Sequence, residues 1–336
     1  MNSTPTSPAV LQTALGDDPG GFAVRVVQMR YESPTVVSLE LARPDGADLP
    51  PFTAGAHIDL RLSQDCTRSY SLLNSDSERH RYIVAVHLDP DTRGGSRHVH
   101  ERLRVGDLLA ITPPKNHFPL DENAEHSLLI AGGIGITPIL SMARRLNALG
   151  RSWELFYASR SRRAAAFLQD VEELSKVGPG RLRLHFDNES GGAPLDLTKV
   201  IGSAPSDAHF YCCGPAPMLE AFKGLTQHLD PALVHYEYFA AAQEAATEGG
   251  YELVLAKSGK RVDVSAGKTL LQAILDAKVD VNYACSQGVC GTCLTPVLEG
   301  QPDHRDNYLT DEERASNSMI MVCCSGSKSA RLVLDL

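Results

Sequence analysis

The sequence predicts a multidomain protein made of an antiparallel β-barrel, an α/β domain with a parallel sheet, and a small α+β domain. Three observations support this prediction. Residues 21–123 carry short runs of alternating apolar and polar residues, residues 124–240 alternate apolar strands with helices, and residues 251–336 combine a hairpin, a helix and a cysteine-rich loop. Period-two runs are typical of antiparallel sheets, whereas strands that alternate with helices are typical of parallel ones.

Length and composition limit the classes of protein to consider. A chain of 336 residues with 43% hydrophobic and 22% charged residues is expected to form two or three globular domains. The net charge of −9 argues against a nucleic-acid partner, which would need a basic surface. No apolar run approaches the roughly 18 residues of a membrane helix. Residues 1–20 lack the basic start and apolar core of a signal peptide, so we expect a flexible tail and a cytoplasmic protein.

The first predicted domain, residues 21–123, contains five short strand-like runs. They read AVRVVQM, VVSLELA, HIDLRL, RYIVAVHL and LLAIT, and Pro, Gly and Asp turns separate them. Such a series predicts an antiparallel sheet that closes into a small barrel. Helical periodicity in this region is limited to residues 95–103.

The second and third predicted domains flank a linker at residues 241–250, which has no apolar periodicity and ends in two glycines. Before it, HSLLIAGG, WELFYAS, RLRLHFD and AHFYCCG are predicted strands of a parallel sheet, and HYEYF is a last short strand. After it, YELVLAKSGKRVDV predicts a hairpin that turns at Ser258 and Gly259. TLLQAILDAK is a predicted helix, and LVLDL a terminal strand.

The cysteines of the third domain follow a Cys-x4-Cys-x2-Cys pattern with a distant fourth cysteine, at Cys285, Cys290, Cys293 and either Cys323 or Cys324. This is the spacing of plant-type 2Fe–2S ligands, whereas a zinc site usually pairs two Cys-x2-Cys knuckles. Adjacent side chains of an extended segment point to opposite faces, so only one of Cys323 and Cys324 is expected to bind iron. Gly288 and Gly291 lie between the ligands, where a tight loop needs positive φ or a close approach of backbone N–H groups to sulfide, and glycine permits both.

Two motifs of the barrel domain suggest a flavin. In CTRSYSLLN, Arg68 and Tyr70 share one strand face, where a guanidinium can hold a phosphate and a ring can lie along a flavin. Residues 94–96, Gly-Gly-Ser, precede a short predicted helix and offer backbone N–H groups to a phosphate. Each motif alone is better explained by an edge strand with a surface arginine, or by a plain Gly-Gly turn. Together, upstream of an α/β domain and a cysteine cluster, they favour a flavin.

The motif AGGIGITP follows a buried strand and opens a helix. Its glycines Gly132, Gly133 and Gly135 are expected to let the backbone approach a pyrophosphate, with Thr137 as the helix cap and Pro138 in the first turn. The motif is not the strict Gly-x-Gly-x-x-Gly dinucleotide fingerprint, and glycine turns also serve plain packing.

A second nucleotide motif, YCCGPAPM, places Cys213, Gly214 and Pro215 at the end of a strand, with a helix beginning at Pro215. Ligands of parallel α/β sheets bind outside the carboxyl ends of the strands, where both nucleotide motifs are predicted to lie. Cys212 is interpreted as a small buried hydrophobic residue.

Taken together, these motifs resemble the phthalate dioxygenase reductase family. The resemblance rests on RSYS at 68–71, GGIGITP, CCGP, the cysteine loop, DHRD at 303–306 and the terminal LVLDL, and it covers residues 22–336 in the family's order. The family consists of flavin reductases of Rieske oxygenases with a C-terminal plant-type ferredoxin domain. The resemblance therefore implies a β-grasp, ferredoxin-like third domain, a monomer, and a Rieske non-haem iron oxygenase component as partner.

The resemblance also implies site residues. FMN would contact Arg68, Ser69, Tyr70, Ser71, Ala85, Val86, His87, Gly94, Gly95, Ser96 and Phe239. NADH would lie on Gly132, Gly133, Gly135, Ile136, Pro138, Gly214 and Pro215. The reacting rings would be bordered by Thr137, Cys213 and Glu237. The family's Met-x-Cys-x-Ser stretch matches residues 321–325, which makes Cys323 the fourth ligand beside Cys285, Cys290 and Cys293.

Two departures from the family are visible. The position after Ser325 is commonly Arg in the family and is Gly326 here. The stretch YASRSRR lacks an acidic residue for a ribose 2′-hydroxyl, and Arg160, Arg162 and Arg163 could meet a 2′-phosphate instead. Because the family uses NADH, NADH is favoured over NADPH. Two other functions remain open: a redox sensor, and a reductase of a different one-electron acceptor.

Overall fold

A computed structural model describes residues 21–63, 66–90, 94–239 and 244–336. These residues form two compact units, one up to Glu237 and the other from Tyr238 onward. The predicted tail, residues 1–20, and the start of the predicted linker lie outside the described residues. Among the described residues there is no helix with the length and apolar character needed to traverse a bilayer.

The barrel of the first unit is a six-stranded antiparallel sheet with the strand order β4-β3-β6-β1-β2-β5. Its strands are β1 (Phe22–Ser33), β2 (Val36–Ala42), β3 (His57–Ser63), β4 (Cys66–Ser71), β5 (Tyr82–His87) and β6 (Leu108–Ile111). Alternating residues such as Val24 and Val26 are fully buried, as the period-two pattern predicts. The end strands β4 and β5 approach each other, so the sheet curls into a barrel, and helix α1 (Gly95–Glu101) lies against both.

The α/β part of the first unit is a five-stranded parallel sheet with the order β11-β10-β7-β8-β9. Its strands are β7 (His126–Gly132), β8 (Ser152–Ser159), β9 (Arg181–Phe186), β10 (His209–Cys213) and β11 (Val234–Glu237). Its helices are α2 (Ile136–Ala148), α3 (Leu168–Leu174), α4 (Leu197–Gly202) and α5 (Ala216–Thr226). The strand order reverses between β7 and β10, which places a ligand crevice at their carboxyl ends.

Buried and half-buried charges join the barrel to helix α2. The Arg144 guanidinium donates to the carbonyl of Leu73 in the barrel and pairs with Asp170 of α3 at 2.9 Å. Burial lowers the pKa of Arg144, and Asp170 opposes this change. Arg145 forms a two-pronged pair with Glu122, with N–O distances of 2.8 and 2.7 Å. These partly exposed contacts join α2 to the barrel.

The second unit is a five-stranded mixed sheet, order β13-β12-β18-β14-β16, with a separate two-stranded ribbon. Its strands are β12 (Tyr251–Leu255), β13 (Lys260–Val264), β14 (Leu294–Glu299), β15 (Pro302–Asp303), β16 (Met319–Met321), β17 (Gly326–Ser327) and β18 (Arg331–Leu334). Helices α6 (Leu270–Asp276) and α7 (Asp311–Ser316) both begin with a capping box. The predicted fold class of all three parts, including the hairpin turn at Ser258–Gly259, is confirmed.

The described part of the predicted linker is not a free connection. Residues 244–250 have no helix or strand, but they hydrogen-bond along the second unit. Ala246 N–H donates to the Cys324 carbonyl, Gly267 N–H donates to the Thr247 carbonyl, and Gly250 N–H donates to the Val264 carbonyl, each at 2.7 Å. The composition of the segment could not predict these contacts, because all three are hydrogen bonds between backbone atoms.

Candidate functional site

The two predicted flavin motifs of the barrel meet. A Cβ added to Gly95, at the start of α1, would lie 3.0 Å from both Cγ and Nε of Arg68 on β4. Gly94 has a φ of +99° and open space around its Cα, which glycine adopts readily. Arg68 and the Gly-Gly-Ser turn therefore form one wall, in which a phosphate can meet both a guanidinium and backbone N–H groups.

The side chains of β4 alternate between two faces as predicted, but the Ser69 side chain is already engaged by another residue. Ser69 points away from Arg68, and its hydroxyl donates to the buried carboxylate of Asp59 at 2.5 Å. Burial raises the pKa of Asp59, but Lys115, 3.0 Å away, and Ser69 outweigh it and keep the pKa below its ordinary value. The Ser69 side chain is thus engaged behind the strand, which leaves its backbone for the predicted flavin contact. Tyr70, on the Arg68 side, has a pKa that burial raises.

Ser71 of the barrel and Cys213 of the parallel sheet both lie beside the carboxyl group of Glu237. Glu237 on β11 is the register partner of Cys213 on β10, and the hydroxyl of Ser71 on β4 hydrogen-bonds to its carboxyl group. Its Oε2 is buried and has no hydrogen-bond partner among the described residues. Burial raises the pKa of Glu237 to about 8, and burial followed by the Glu237 charge raises the pKa of Cys213. Ser71 and two residues predicted to border the reacting rings therefore form one buried cluster.

The two nucleotide motifs also touch. A Cβ at Gly135 would lie 2.1 Å from the Cys213 carbonyl oxygen, and a Cβ at Gly132 would lie 2.7 Å from Pro215 Cδ. Gly214 would meet Met218 Sδ at 2.8 Å. These glycines are needed because the loops after β7 and β10 pack directly against each other.

Only one glycine of the first motif faces open space. Gly133 has a φ of +55° and no atom within 4 Å of an added Cβ. The prediction that Gly132, Gly133 and Gly135 all open toward a pyrophosphate is therefore corrected: two of them serve loop packing. Ile136 and Pro138 follow in the first turn of α2, at the crevice between β7 and β10.

The prediction that Thr137 caps α2 is wrong. A 3₁₀ turn, Gly133–Gly135, runs directly into the helix, so Gly135 occupies the cap position and Thr137 lies inside the first turn. Thr137 is buried, and its hydroxyl donates to the Ile134 carbonyl at 3.1 Å. The side chain thus stabilises the turn that leads into the helix.

Strand β5 supplies the predicted backbone wall of the flavin site. Ala85 and Val86 are buried, and His87 ends the strand with its pKa lowered by burial. β5 approaches the 3₁₀ turn Gly133–Gly135 of the nucleotide motif. The predicted flavin wall and the predicted pyrophosphate turn are therefore neighbours within the first unit. Phe239 belongs to the second unit, and its predicted flavin contact stays a prediction.

The acidic residue missing from YASRSRR comes from the next loop. Glu189, after β9, accepts from Arg162 Nε at 3.0 Å, and the Arg162 guanidinium lies 4.6 Å from the centroid of the Phe186 ring. Sequence reasoning missed this pair because its members lie in loops after different strands. Parallel strands bring their carboxyl ends to one edge of a sheet, which is the signal that could have found it.

The predicted cluster ligands lie together as two pairs of buried thiols. Cys285 is within hydrogen-bond reach of Cys290, and Cys293 is within reach of Cys323. Contact with its partner lowers the pKa of Cys290 to about 6 and that of Cys323 to about 4. In the part of the chain that the structure describes, no three His, Cys, Asp or Glu side chains converge on one ion. Two pairs of thiols suit a binuclear cluster of soft iron–sulfide character.

The loop that carries three of these cysteines has the predicted backbone. Gly288 and Gly291 have φ values of +67° and +73°, so the expectation of positive φ is confirmed. Gly288 also packs tightly, since an added Cβ would lie 2.5 Å from Cys324 Sγ. Asn307 N–H donates to the Gly288 carbonyl at 2.9 Å and holds the loop in place.

The argument that separated Cys323 from Cys324 is corrected. The segment is a turn, not an extended strand, because Ser325 N–H donates to the Met321 carbonyl at 3.0 Å. Both thiols are buried on the same side and lie within reach of each other. Cys323 is the one beside Cys293, while Cys324 Sγ lies 3.8 Å from the Met321 carbonyl and Ser325 Oγ.

Two models of known protein families match separate parts of the chain. The 2Fe-2S iron-sulfur cluster binding domain matches residues 253–327, and the oxidoreductase NAD-binding domain matches residues 129–224. The chain is 52% identical over 315 residues to phenoxybenzoate dioxygenase subunit beta of Ectopseudomonas oleovorans, covering 94% of this chain and 97% of the relative. It is 49% identical over 313 residues to tetrachlorobenzoquinone reductase of Sphingobium chlorophenolicum, covering 93% and 97%.

Solved structures give the same result. The chain is similar to phthalate dioxygenase reductase, with a TM-score of 0.76 and 37% identity over 94% of this chain and 98% of that structure. It also matches an intact type IV self-sufficient cytochrome P450 monooxygenase, with a TM-score of 0.78 and 36% identity, but spans only 41% of that longer chain. The chain belongs to the phthalate dioxygenase reductase family, and it is an NADH-dependent iron–sulfur oxidoreductase that uses FMN and a 2Fe–2S cluster.

Proposed function

We propose that this chain is the reductase component of a Rieske-type oxygenase system and passes electrons to a terminal oxygenase on another chain. The observation that carries the proposal is the pairing of two sites in one polypeptide. The first unit joins a flavin wall to a nucleotide crevice, and the second holds four thiols in two pairs. Relatives named as parts of dioxygenase and O-demethylase systems support the same direction of electron flow.

Each bound group supplies one kind of chemistry. NADH gives two electrons together as hydride, FMN exchanges electrons in twos or singly, and the cluster carries one. The protein contributes binding, orientation and a dry site. We assign residues 21–123 to FMN, 124–240 to NADH and 251–336 to the cluster, as the sequence predicts.

In the first unit, the chain's own residues bind and orient. Arg68 and the turn at residues 94–96 would hold the FMN phosphate, and the turn around Gly133 would hold the pyrophosphate of NADH. The buried thiol of Cys213 would border the nicotinamide as a neutral group, since its raised pKa keeps it protonated. A neutral wall that excludes water would favour hydride transfer, because it keeps water away from the reacting rings.

Glu237 would hold or release a proton beside that wall. With a pKa of about 8, its carboxyl group is mostly protonated near neutral pH. Ser71, on the predicted flavin strand, hydrogen-bonds to this group. The protonated carboxyl group can give up its proton, and the Ser71 hydroxyl would then donate a hydrogen bond to the carboxylate, which offsets part of the cost of the buried charge.

In the second unit, Cys285 and Cys290 would bind one iron, and Cys293 and Cys323 the other. Thiolates are the ligands that such irons prefer, and proximity already lowers the pKa of one thiol in each pair. Burial of all four sulfurs limits the access of water to the cluster.

The test is anaerobic reduction of a partner. The holoprotein and NADH are mixed with the purified oxygenase component that works with the 52% identical relative, and the Rieske centre is followed by its electron paramagnetic resonance signal. We expect reduction within seconds and many NADH oxidised per reductase when cytochrome c is the acceptor. Turnover with cytochrome c but an oxidised Rieske centre would refute the proposed partner. A single turnover with either acceptor would indicate a sensor.

A second function, reduction of a chlorinated benzoquinone, is favoured by the relative that is 49% identical over nearly its whole length. NADH oxidation with tetrachlorobenzoquinone is compared between the natural protein and Cys293→Ser. A quinone that reacts at the flavin would be reduced at an unchanged rate by the variant. A lower rate in Cys293→Ser would instead show that the quinone takes electrons from the cluster, which would contradict a quinone reaction at the flavin.

A further inference from the structure

The segment of residues 244–250, here called the strap, docks on the part of the second unit that carries Cys323. Ala246 is buried, although its neighbours Thr247 and Glu248 are exposed. Its N–H donates to the carbonyl of Cys324, the residue next to the proposed ligand. The strap is held further along by the hydrogen bonds of Thr247 and Gly250 described above.

Gly326 makes this docking possible. A Cβ at Gly326 would lie 2.8 Å from the Cβ of Ala246, closer than two unbonded carbons approach. Gly326 cannot move away easily, because it pairs with Asp303 in the ribbon β15–β17. Ala246 therefore fills the space where a side chain at position 326 would begin.

Arg305 ties the strap to the same segment from a second direction. Its guanidinium pairs with Glu248 of the strap at 3.1 Å and with Asp303 at 2.7 Å. Its backbone N–H donates to Ser325 Oγ at 3.2 Å, two residues beyond Cys323. The strap and the ligand-bearing turn therefore share one arginine as well as the direct contact at Gly326.

We propose that the strap is a positioning element that sets the reduction potential of the cluster, and that Gly326 and Ala246 are the residues that dock it. The inference rests on the proposed role of Cys323 as a ligand. The Ala246 N–H fixes the carbonyl of Cys324, one residue beyond that ligand, and the strap covers this part of the turn. Hydrogen bonding and solvent exposure are among the factors that set such potentials. Reduction adds a negative charge that water stabilises, so the docked strap holds the potential low.

The test moves one methyl group across the contact. Gly326→Ala, Ala246→Gly and the double variant are purified as holoproteins, with Gly224→Ala, an open helix position of the first unit, as control. We expect Gly326→Ala to raise the midpoint potential, to alter the resonance signal of the reduced cluster, and to speed cluster loss to a chelator about fivefold, the factor for 1 kcal/mol. The double variant should return toward the natural values, because the clash is gone.

Each outcome decides the matter. An unchanged potential and signal in Gly326→Ala would overturn the proposal, and so would a shift that Ala246→Gly does not reduce. If Gly326→Ala yields no cluster, Glu248→Gln replaces it, with Glu244→Gln as control. Glu248→Gln loses the pairing with Arg305, and it must raise the potential or the proposal fails. A natural cluster spectrum in Cys323→Ser would instead refute the ligand assignment.

Discussion

The proposed cluster site of the second unit and the proposed hydride site of the first are built in opposite ways. Three of the four cluster thiols come from one loop of nine residues, 285–293, whose shape depends on glycines with positive φ. The proposed hydride site gathers Ser71 from the barrel, and Cys213 and Glu237 from two neighbouring strands of the parallel sheet. The difference teaches that residue spacing specifies the first site, whereas strand order and register specify the second.

This difference predicts how each site fails. A ligand set has no substitute for a missing thiolate, so its loss is all or none. The hydride site depends on close packing of loops and on one buried carboxyl, so its defects are graded. The predictions below test that contrast, beginning with the largest effect.

The largest effect is expected for Cys323→Ser. Loss of the thiolate beside Cys293 leaves one iron without its second protein ligand, so the visible bands of the cluster and cytochrome c reduction should disappear. NADH should still bleach the flavin, because the first unit is untouched. Absorption spectra and stopped-flow bleaching measure both results.

Cys324→Ser is the matched control for this variant. Its thiol is equally buried and lies next to Cys323, so it separates proximity from ligation. We expect Cys324→Ser to keep the cluster bands and cytochrome c reduction. If it loses the cluster while Cys323→Ser keeps it, the two cysteines have exchanged roles.

The same contrast explains how much the sequence could predict. Periodicity identified the barrel, the parallel sheet and the small α+β domain, and cysteine spacing identified the cluster, because these features depend on near neighbours in the chain. Gly132 and Gly135 were assigned to a ligand although they serve loop packing, since their neighbours Pro215 and Cys213 lie on another strand. Ser71 and Glu237 could be paired only after the strand order was known.

A graded loss is expected for Gly135→Ala. The added Cβ would meet the Cys213 carbonyl oxygen at 2.1 Å, and a backbone atom cannot rotate away. The two nucleotide loops must separate, so we expect the KM for NADH to rise about tenfold or more, equivalent to about 1.4 kcal/mol. Steady-state kinetics with cytochrome c measure this, and the cluster spectrum should stay unchanged. Gly224→Ala, which meets no atom within 4 Å, should leave KM as it is.

A pH-dependent effect on stability is expected for Glu237→Gln. The folded protein raises the pKa of Glu237 from 4.5 to about 8, so it binds this proton more tightly than the unfolded chain does. That contribution to stability is fully present below about pH 4.5 and is lost as the pH rises to about 8. The melting temperature of the natural protein, relative to that of Glu237→Gln, should therefore fall between pH 5 and pH 8 and level off above it. The matched control is Glu125→Gln, an exposed carboxyl of the same unit. A flat difference for Glu237→Gln would contradict the raised pKa of this carboxyl group.

The smallest effect is expected at the edge of the hydride site, for Glu189→Gln. Glu189 neutralises Arg162, and an exposed ion pair of this kind contributes about 0.2–1 kcal/mol. Without the carboxylate, Arg162 is free to meet a 2′-phosphate, so kcat/KM for NADPH relative to NADH should rise about two- to fivefold. The matched control is Glu154→Gln, which loses its pairing with Arg183 on the neighbouring strand and should leave the ratio unchanged. If Glu189→Gln also leaves the ratio unchanged, Arg162 lies away from the ribose, and nucleotide choice depends on Arg160, Arg163 or the loop backbone instead.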